Sequence, residues 1–397
     1  MRLRDTPEEA AFRSELRAWL SDVLPTLPPP PSTEDWPAKR AYDTGWQRRL
    51  HDAGYAGIAW PAAYGGRGTS PSLELIYLEE TERARAPYVG CNFVGTLHAG
   101  PTLIAEGTPE QQAAHLPGIL RGDHVWCQGF SEPEAGSDLA SLRTRAVRDG
   151  VEYVVTGQKI WTSHAHVADY CELLVRTDPD VRKHAGITWL IMPMDAPGID
   201  IRPLRTLTGV TEFAEMFLDE VRIPVANRVG DENDGWRVAM VTFGFERGTA
   251  FVSELLRSMQ LVTDLATIAR KVERRGTGGP AWGDAGIRRE LAIVAAELDA
   301  LWALTRRNVT RAQRGVVAGF GGSVFKLAYH GTRDRLGEVT MRLLDRAGLA
   351  FDDPVDLSSL DHVEQTLYAL SLSIAAGTSQ IQRNIVGERV LGLPKER

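Results

Sequence analysis

The spacing of apolar residues changes twice along this chain of 397 residues. Up to about residue 121, apolar side chains recur at steps of three and four, which is typical of amphipathic helices. From about residue 124 to 229, short β-branched and aromatic runs are separated by turn signals such as Asp149-Gly150. Beyond residue 235 the helical spacing returns over longer stretches. This order argues against a parallel α/β sheet and therefore against a Rossmann domain.

The pattern predicts helices in the first part of the chain at residues 7–20, 41–53, 73–85 and 109–120. It predicts long helices in the last part, forming a four-helix bundle, at residues 236–275, 287–311, 323–347 and 360–390. We therefore predict a mainly α protein with a central β-domain, an antiparallel barrel or sandwich that contains a hairpin closed by Asp149-Gly150. The predicted domains are an N-terminal helical domain at 1–122, a β-domain at 123–231 and a C-terminal bundle at 232–397.

Composition excludes several classes of function. A net charge of −7 gives no electrostatic reason to bind nucleic acid, and no apolar run approaches the roughly 20 residues of a membrane span. The first residues lack an apolar secretory core, so we expect a cytoplasmic protein. Cys91, Cys127 and Cys171 are odd in number and widely spaced, which favours a reduced compartment. His164 and His166 are a weak ligand signal, and no metal site is predicted.

Two segments of the β-domain carry candidate chemistry. CQGFSEPEAGSD, at residues 127–138, ends in a Gly-Ser-Asp turn that would offer backbone N–H groups and a hydroxyl to an anionic ligand, although plain turns are commoner. GQKIWTSHAHVAD, at residues 157–169, places Trp161 beside Thr162 and Ser163 at a strand end. These side chains have the chemistry to pack and hydrogen-bond a planar ring, although a tryptophan in a strand more often lies in the core.

Taken together, the motifs resemble those of the acyl-CoA dehydrogenase family. The resemblance rests on SEPEAGSD, the following G-x-K-x-W-T-S strand and GTSQIQR near the C-terminus, in the order helices, strands, helices. It extends to PAAYGG at residues 61–66 and to the segment leading into SEP at residues 103–133, so it covers essentially the whole chain. Each motif is modest alone, whereas their co-occurrence in order is specific.

The resemblance implies that FAD binds between the β-domain and the C-terminal bundle and that the substrate is a CoA thioester. It implies proton abstraction at the acyl α-carbon, hydride transfer from the β-carbon to the flavin, and an electron-transfer flavoprotein or equivalent as acceptor. By position in the motif, Gln128, Phe130 and Ser131 would line the pyrimidine edge of the flavin. Gly136 and Ser137 would approach the pyrophosphate, and Ser137 also the pantetheine of CoA.

The resemblance assigns the remaining binding residues to two further segments. Trp161, Thr162 and Ser163 would pack against the central flavin ring and hydrogen-bond it. Thr378 and Gln380 would meet the adenosine half of FAD.

Proton abstraction beside a thioester needs a carboxylate whose pKa is raised in a dry site. In many family members this base is a glutamate directly before the GT of the C-terminal motif, where the chain has Ala376. Other members carry it on the first long C-terminal helix, directly before an arginine, and here Glu246 and Arg247 stand at that place. Such a pair is most often a solvated surface pair. The resemblance implies that Glu246 is the base, that Arg247 holds the helix or CoA, and that the Gly377 N–H polarises the thioester carbonyl.

Two family motifs that reach the FAD of a neighbouring subunit are not recognisable. The place of R-x-x-F-G reads RRGTGGPAWGD at residues 274–284, and the place of Q-x-x-G-G-x-G-Y reads LDRAGLAF at residues 344–351. Motifs for a subunit's own FAD are kept. We therefore expect an α2β2 hetero-oligomer in which a related subunit completes the site, similar to heteromeric enzymes of actinobacterial steroid side-chain degradation, with a homo-oligomer as the alternative.

The small residues Ala375 and Ala376 bear on the substrate. An unfilled pocket gives up van der Waals contacts, so their small volume favours a bulky, branched or steroid-like acyl group unless neighbouring side chains fill the space. Two other functions stay open on the same fold, a non-catalytic subunit of a heteromeric dehydrogenase and a flavin-dependent monooxygenase. The presence of Glu246 and of GTSQIQR argues against the monooxygenase.

Overall fold

A computed structural model of the protein describes residues 4–32, 34–249, 251–274, 279–313, 321–349 and 357–394. By their contacts the residues form two compact units. The unit that we call the helical unit contains Met1–Asp22, Pro71–Ala86 and Thr249–Arg397. The unit that we call the sheet unit contains Val23–Ser70 and Pro87–Gly248. Helices from both ends of the sequence therefore share one unit.

The α-helices of the described residues are, in chain order, α1 (Pro7–Val23), α2 (Trp36–Asp52), α3 (Pro71–Arg83), α4 (Gly100–Glu106), α5 (Pro109–Arg121), α6 (Gly235–Thr249), α7 (Val252–Ile268), α8 (Ala285–Ala312), α9 (Gly321–Leu344), α10 (Leu357–Ala369) and α11 (Ser379–Ile385). The strands are β1 (Trp126–Gly129), β2 (Arg145–Asp149), β3 (Glu152–Ser163), β4 (Tyr170–Arg176), β5 (Ile187–Pro193), β6 (Ile199–Leu204), β7 (Phe213–Pro224), β8 (Arg228–Val229), β9 (Glu273–Arg274) and β10 (Gly279–Pro280). None of the helices described is long and apolar enough to cross a membrane.

One sheet of eight strands dominates the sheet unit, in the order β6-β7-β3-β2-β4-β5-β8, with β1 beside β4. Most neighbours are antiparallel, as predicted, whereas β1 and β2 run parallel to β4. The predicted β2–β3 hairpin is confirmed, because Asp149 pairs with Glu152 and Gly150 turns the chain at φ +62°. Alternate residues of β7 such as Ala214 and Met216 are buried, which is the period of a sheet with one face on a core.

The strand β3 is irregular at two places. Its register with β7 shifts between Val155 and Gly157 and again between Lys159 and Thr162. At the first shift a Cβ on Gly157 would lie 2.6 Å from the Cα of Thr144, so only glycine allows this approach. The second shift lies directly before the end of the strand, where the candidate flavin residues stand.

The helical unit has a core drawn from α7, α8, α9 and α10, including the fully buried Leu265, Val294, Leu298 and Leu343. The prediction of one continuous helix over 236–275 is wrong, because α6 ends at Thr249 and α7 begins at Val252. Glycine and threonine are poor helix formers, and the sequence Gly248-Thr249 lies at this boundary.

The last predicted helix, over residues 360–390, is interrupted between Ala369 and Ser379. After α10 a 3-10 turn covers Leu370–Ser373, and α11 begins only at Ser379. Between them Ala376 has φ +51° and Gly377 has φ +84°, both in the left-handed region. A right-handed helix cannot pass through two such residues.

Candidate functional site

The two candidate segments of the sheet unit lie side by side. The backbone N–H of Ile160 donates to the carbonyl of Ser131 at 3.0 Å, and the Lys159 ammonium donates to the carbonyl of Phe130 at 3.1 Å. The Phe130 ring is buried and meets the ring of Phe243, on α6, edge to face at 5.8 Å. The structure therefore brings the CQGFS segment, the end of β3 and one face of α6 together.

Trp161 does not lie in the core. Its side chain is 58% exposed, its backbone has φ +62°, and its ring meets Phe213 edge to face at 6.0 Å. A bulky residue in the left-handed region is strained, and such strain persists where the surroundings hold it and is common at ligand sites. The register shift after Lys159 turns this ring outward, as a residue that packs against a ligand requires.

The two residues after Trp161 differ in exposure. Thr162 is fully buried, and its Oγ1 has no hydrogen-bond partner among the residues that the structure describes. Ser163 is half-buried and pairs with Phe213 on β7. An orphaned hydroxyl beside an outward-turned indole fits a flat ligand that carries polar atoms, such as a flavin.

A buried ion pair shapes the SEPEA turn. The Lys159 ammonium lies 2.8 Å from Glu132, whose carboxylate also accepts from the backbone N–H groups of Arg143 at 2.6 Å and Thr144 at 2.9 Å. Burial opposes ionisation of Glu132, but Lys159 and these N–H groups outweigh it and lower the pKa of the carboxyl. Burial also lowers the pKa of Lys159. Sequence reasoning missed this pair, although both residues stand inside the two motifs.

The Gly-Ser part of the same turn is open to solvent. Glu132 and Ala135 exchange two backbone hydrogen bonds, at 3.1 and 3.0 Å, which close a tight turn. Gly136 and Ser137 follow this turn and are exposed, and a Cβ on Gly136 would meet nothing within 4 Å. The turn therefore presents these two residues at the surface of the sheet unit.

Gln128 is oriented by buried polar side chains that sequence reasoning missed. Its Nε2 donates to Glu172 at 2.7 Å and lies 3.3 Å from the Nδ1 of His98. A carboxylate only accepts, so the amide nitrogen faces Glu172 and the amide oxygen faces away from it. The parallel register of β1 and β4 sets Gln128 opposite Glu172. A glutamate in the apolar run YCELLV is the signal that could have found it.

The helix α6, which carries the candidate base, is fixed at its N-terminal half. Arg237 makes two hydrogen bonds to Glu106 of α4, at 2.6 and 2.7 Å, and the buried hydroxyls of Thr242 and Thr102 lie 2.9 Å apart. The backbone of α6 is described through Thr249, whereas the side chains of residues 245–249 lie outside the described part. The candidates Glu246 and Arg247 belong to this group.

The C-terminal motif forms a turn in the helical unit. Thr378 is half-buried and its hydroxyl oxygen accepts from the N–H of Ile381 at 3.2 Å, which caps α11. Gln380 is exposed and Gly377 is half-buried. The carbonyls of Ala376 and Gly377 face Gln382 at 3.2 and 3.4 Å.

The histidine pair after β3 packs as two rings. His164 is buried, lies 5.3 Å from the ring of Trp36, and has a pKa lowered to about 3 by burial and the neighbouring His166. His166 meets Trp36 edge to face at 4.6 Å. Among the described residues, no group of three or more histidine, cysteine, aspartate or glutamate side chains is placed to hold a metal ion.

Comparison with protein families accounts for this arrangement of helices and sheet. The acyl-CoA dehydrogenase N-terminal domain matches residues 6–123, the middle domain matches 127–221 and the C-terminal domain matches 233–391. The chain belongs to the acyl-CoA dehydrogenase family.

Individual relatives match over the full length. Acyl-CoA dehydrogenase IpdE1 of Mycobacterium tuberculosis is 37% identical in an alignment 396 positions long, gaps included, that covers 97% of this chain and 98% of that protein. A solved structure described as the Tcur3481-Tcur3483 steroid ACAD has a TM-score of 0.85 at 31% identity and covers 100% of both chains. The ChsE4-ChsE5 complex from Mycobacterium tuberculosis has a TM-score of 0.84 at 32% identity, again over 100% of both chains.

Proposed function

We propose that the protein is an FAD-dependent dehydrogenase that introduces an α,β double bond into an acyl-CoA thioester, with Glu246 as the base. Membership of the family supports the reaction class. The observation that carries the assignment of the base is that Ala376 stands where many members have a glutamate, whereas Glu246 precedes Arg247 at the alternative place.

The residues of the sheet unit fit FAD. Trp161 turns its ring outward, the buried Thr162 hydroxyl has no partner in the described part of the chain, and Gln128 presents its amide oxygen away from Glu172. The pyrimidine ring of a flavin carries an N–H donor between two carbonyls, and the amide oxygen of Gln128 is suited to accept from it. Bound FAD would accept the hydride that leaves the β-carbon of the acyl chain.

The backbone of α6 supports the role of Glu246. Position 246 follows Phe243 by three residues and Thr242 by four, which places the three positions on one face of the helix. Phe243 meets Phe130 of the flavin-side segment, so this face is turned to the flavin-side residues of the sheet unit. A carboxylate at position 246 would take the α-proton, Arg247 would hold the helix or CoA, and the Gly377 N–H would polarise the thioester carbonyl.

We propose a bulky, steroid-like acyl group as the substrate. Ala375 and Ala376 are exposed, and their small side chains would leave space beside the turn for a large acyl group. A relative that is 31% identical over its whole chain is described as a steroid ACAD. Both arguments favour a polycyclic over a short straight acyl chain.

We propose that the enzyme works as an α2β2 hetero-oligomer with a related subunit and passes electrons to an electron-transfer flavoprotein or an equivalent acceptor. The segments at 274–284 and 344–351 lack the family motifs that reach a neighbour's FAD. Of the similar solved structures, one is a ChsE4-ChsE5 complex, and the name of another joins Tcur3481 and Tcur3483.

Three further predictions remain part of the proposal. They are the three domains at 1–122, 123–231 and 232–397, a cytoplasmic location, and the role of Gly136, Ser137 and Gln380 as ligand contacts.

The assignment of the base is tested by Glu246→Gln, which keeps the shape of the side chain and removes its basicity. We expect anaerobic flavin reduction by an acyl-CoA ester to slow by about 100- to 10,000-fold, the usual contribution of a general base. Rapid-mixing absorbance of the flavin measures this step. Glu254→Gln is the matched control, since Glu254 lies on α7 in an ion pair with Arg257. Flavin reduction at the wild-type rate in the Glu246 variant would exclude Glu246 as the base.

A further inference from the structure

The turn between α10 and α11 holds a conformation that its own sequence does not favour. Ala376 has φ +51° and Gly377 has φ +84°. A left-handed alanine costs about 1–2 kcal/mol, so the surrounding structure must hold the turn in place. Ala376 itself is exposed and offers only a methyl group for packing. The groups that hold the turn therefore act on its backbone.

Two buried side chains bind the turn from its inner side. Lys326 on α9 is 4% exposed, and its ammonium donates to the carbonyl oxygens of Ala375 and Gly377. Gln382 on α11 is also buried, and its Nε2 donates to the carbonyl oxygens of Ala376 and Gly377. Three consecutive carbonyls thus face Lys326 and Gln382.

The direction of these carbonyls fixes the direction of three N–H groups. In a trans peptide the C=O of one residue and the N–H of the next point to opposite sides of the chain. The N–H groups of Ala376, Gly377 and Thr378 therefore point away from Lys326 and Gln382. Ala375 and Ala376 are exposed, whereas Lys326 and Gln382 are buried, so we infer that the outer face of the turn lies at the surface of the helical unit. An acceptor oxygen of a ligand could therefore reach these N–H groups from that face.

The charge of Lys326 also acts on the strength of these donors. A positive charge at a carbonyl oxygen polarises the peptide group and makes its N–H a better donor, an effect that is larger where water is excluded. Lys326 contacts the peptide carbonyls of Ala375 and Gly377, so it acts on the N–H groups of Ala376 and Thr378. Burying an ammonium is costly, and charge-assisted hydrogen bonds to two carbonyls offset that cost.

We propose that Lys326 is a positioning residue for the dehydrogenation, with Gln382 as its second support. Lys326 holds the turn so that its N–H groups, including that of Gly377, face the thioester carbonyl. Its charge strengthens the flanking N–H groups of Ala376 and Thr378 as the carbonyl gains electron density in the transition state. This inference rests on the proposed function, because it presupposes that a thioester binds at the turn. It explains how the turn keeps its shape in a chain that has no glutamate at position 376.

The test compares wild type with Lys326→Met and Lys326→Gln in the complete enzyme with its partner subunit. The probe is (cyclohexylthio)acetyl-CoA labelled with 13C at the thioester carbonyl, whose β-sulfur prevents hydride loss. In wild type, hydrogen bonds from the turn should lower the infrared stretching frequency of the bound probe's carbonyl below its frequency in water. Lys326→Met should abolish most of this shift and lower kcat/KM about 10- to 1,000-fold, mainly through kcat.

The control variants distinguish the effect of the charge of Lys326 from the effect of its hydrogen bonds and from a failure to fold. Lys326→Gln keeps donors without the charge and should give an intermediate shift, which also covers the case in which Lys326→Met fails to fold. Lys271→Met, at an exposed lysine of the same unit, should match wild type. A carbonyl stretch that is equal in wild type and in both Lys326 variants would overturn the inference alone. Wild type that does not bind the probe would instead contradict the proposed function.

Discussion

At the scale of single residues, the ion pair of Lys159 and Glu132 links the two candidate flavin segments. Both side chains are buried, and the Glu132 carboxylate also accepts hydrogen bonds from two backbone N–H groups. Removing one member leaves the other charge buried without its partner, which costs about 3–5 kcal/mol. We therefore expect Lys159→Met to lower the free energy of unfolding by that amount in urea denaturation.

A double-mutant cycle is the control for this prediction. Lys159→Met combined with Glu132→Leu removes both charges, so the double variant should lose less stability than the sum of the single variants. Additive losses would show that the two side chains do not interact. The exposed pair of Lys183 and Asp138, 2.6 Å apart, offers a matched comparison, and Lys183→Met should cost less than about 1 kcal/mol.

His164 should make stability depend on pH. Its pKa lies near 3 in the folded protein against 6.5 for an ordinary histidine, so below pH 6.5 the unfolded chain binds a proton that the folded chain does not. Stability therefore falls as the pH drops from 6.5 towards 3, by up to about 1.4 kcal/mol per pH unit. His164→Gln should remove this part of the slope in urea denaturation between pH 6.5 and 4.5. The same slope in wild type and variant would contradict it, and His51→Gln, at an exposed ring, is the control.

Residue identity marks the two candidate flavin segments but does not predict their geometry. The motif containing Trp161 marks a strand end, yet a tryptophan in a regular strand is expected in the core. Its exposure follows from the register shift against β7, a property of two strands that are distant in sequence. Glu172 and His98 were missed for the same reason, because only the pairing of β1 with β4 sets Glu172 opposite Gln128.

At the scale of elements, the start of α6 is fixed by a glycine. A Cβ on Gly235 would lie 2.5 Å from the backbone of Thr188 and Trp189 on β5, which no side chain can relieve. Gly235→Ala should therefore push α6 away from β5, lower stability by about 1–3 kcal/mol and slow flavin reduction, since α6 carries Glu246. Thermal unfolding and rapid-mixing absorbance measure the two effects.

The same helix supplies the control. Gly244 is exposed, and a Cβ there would meet nothing within 4 Å. Because alanine favours a helix over glycine, Gly244→Ala should raise stability by about 0.5–1 kcal/mol. Equal effects of the two substitutions would show that helix propensity, and not the contact with β5, governs this helix.

Periodicity predicted the kinds of elements well and their ends less well. The β-branched and aromatic runs between residues 124 and 229 and the Asp149-Gly150 turn are local signals, and the strands and the hairpin that they predict were confirmed. The division between α6 and α7 was missed because apolar spacing continues across residues 249–251. The apolar spacing predicts one helix over 360–390, although Gly377, Thr378 and Ser379 interrupt the apolar run at the observed break.

At the scale of the whole molecule, sequence order predicted the family but not the grouping of helices. The unit boundaries depend on contacts between distant segments, such as the ion pairs of Arg257 with Glu82 and of Arg85 with Asp264. In sequence these charged residues look like those on any solvated helix surface, so no local pattern shows which of them pair. The predicted boundaries at residues 122 and 231 follow changes of periodicity instead.

The proposed hetero-oligomer makes a prediction about stoichiometry. The chain expressed alone should bind less than one FAD per protomer, whereas co-expression with a related acyl-CoA dehydrogenase subunit should give an α2β2 particle with bound flavin. Native mass spectrometry and flavin absorbance measure both quantities. A homo-oligomer with one FAD per protomer and full turnover would contradict the proposal. Apolar side chains exposed in the C-terminal segment, Leu370, Ile374 and Leu391, are candidates for burial in such an assembly.

The grouping of α1 with the C-terminal helices has a consequence for protein synthesis. The apolar stripe of α1, Phe12, Leu16 and Leu20, is buried in a unit whose main part begins at Thr249. Translation at about 5–20 residues per second needs roughly 10–45 s to bridge that interval. During this time α3 is the only described helix of the same unit, besides α1 itself, that has been synthesised. The helix α1 is thus synthesised long before most of the unit that buries it, and a nascent chain stopped before residue 249 leaves part of its apolar stripe uncovered, as is typical of a chaperone client.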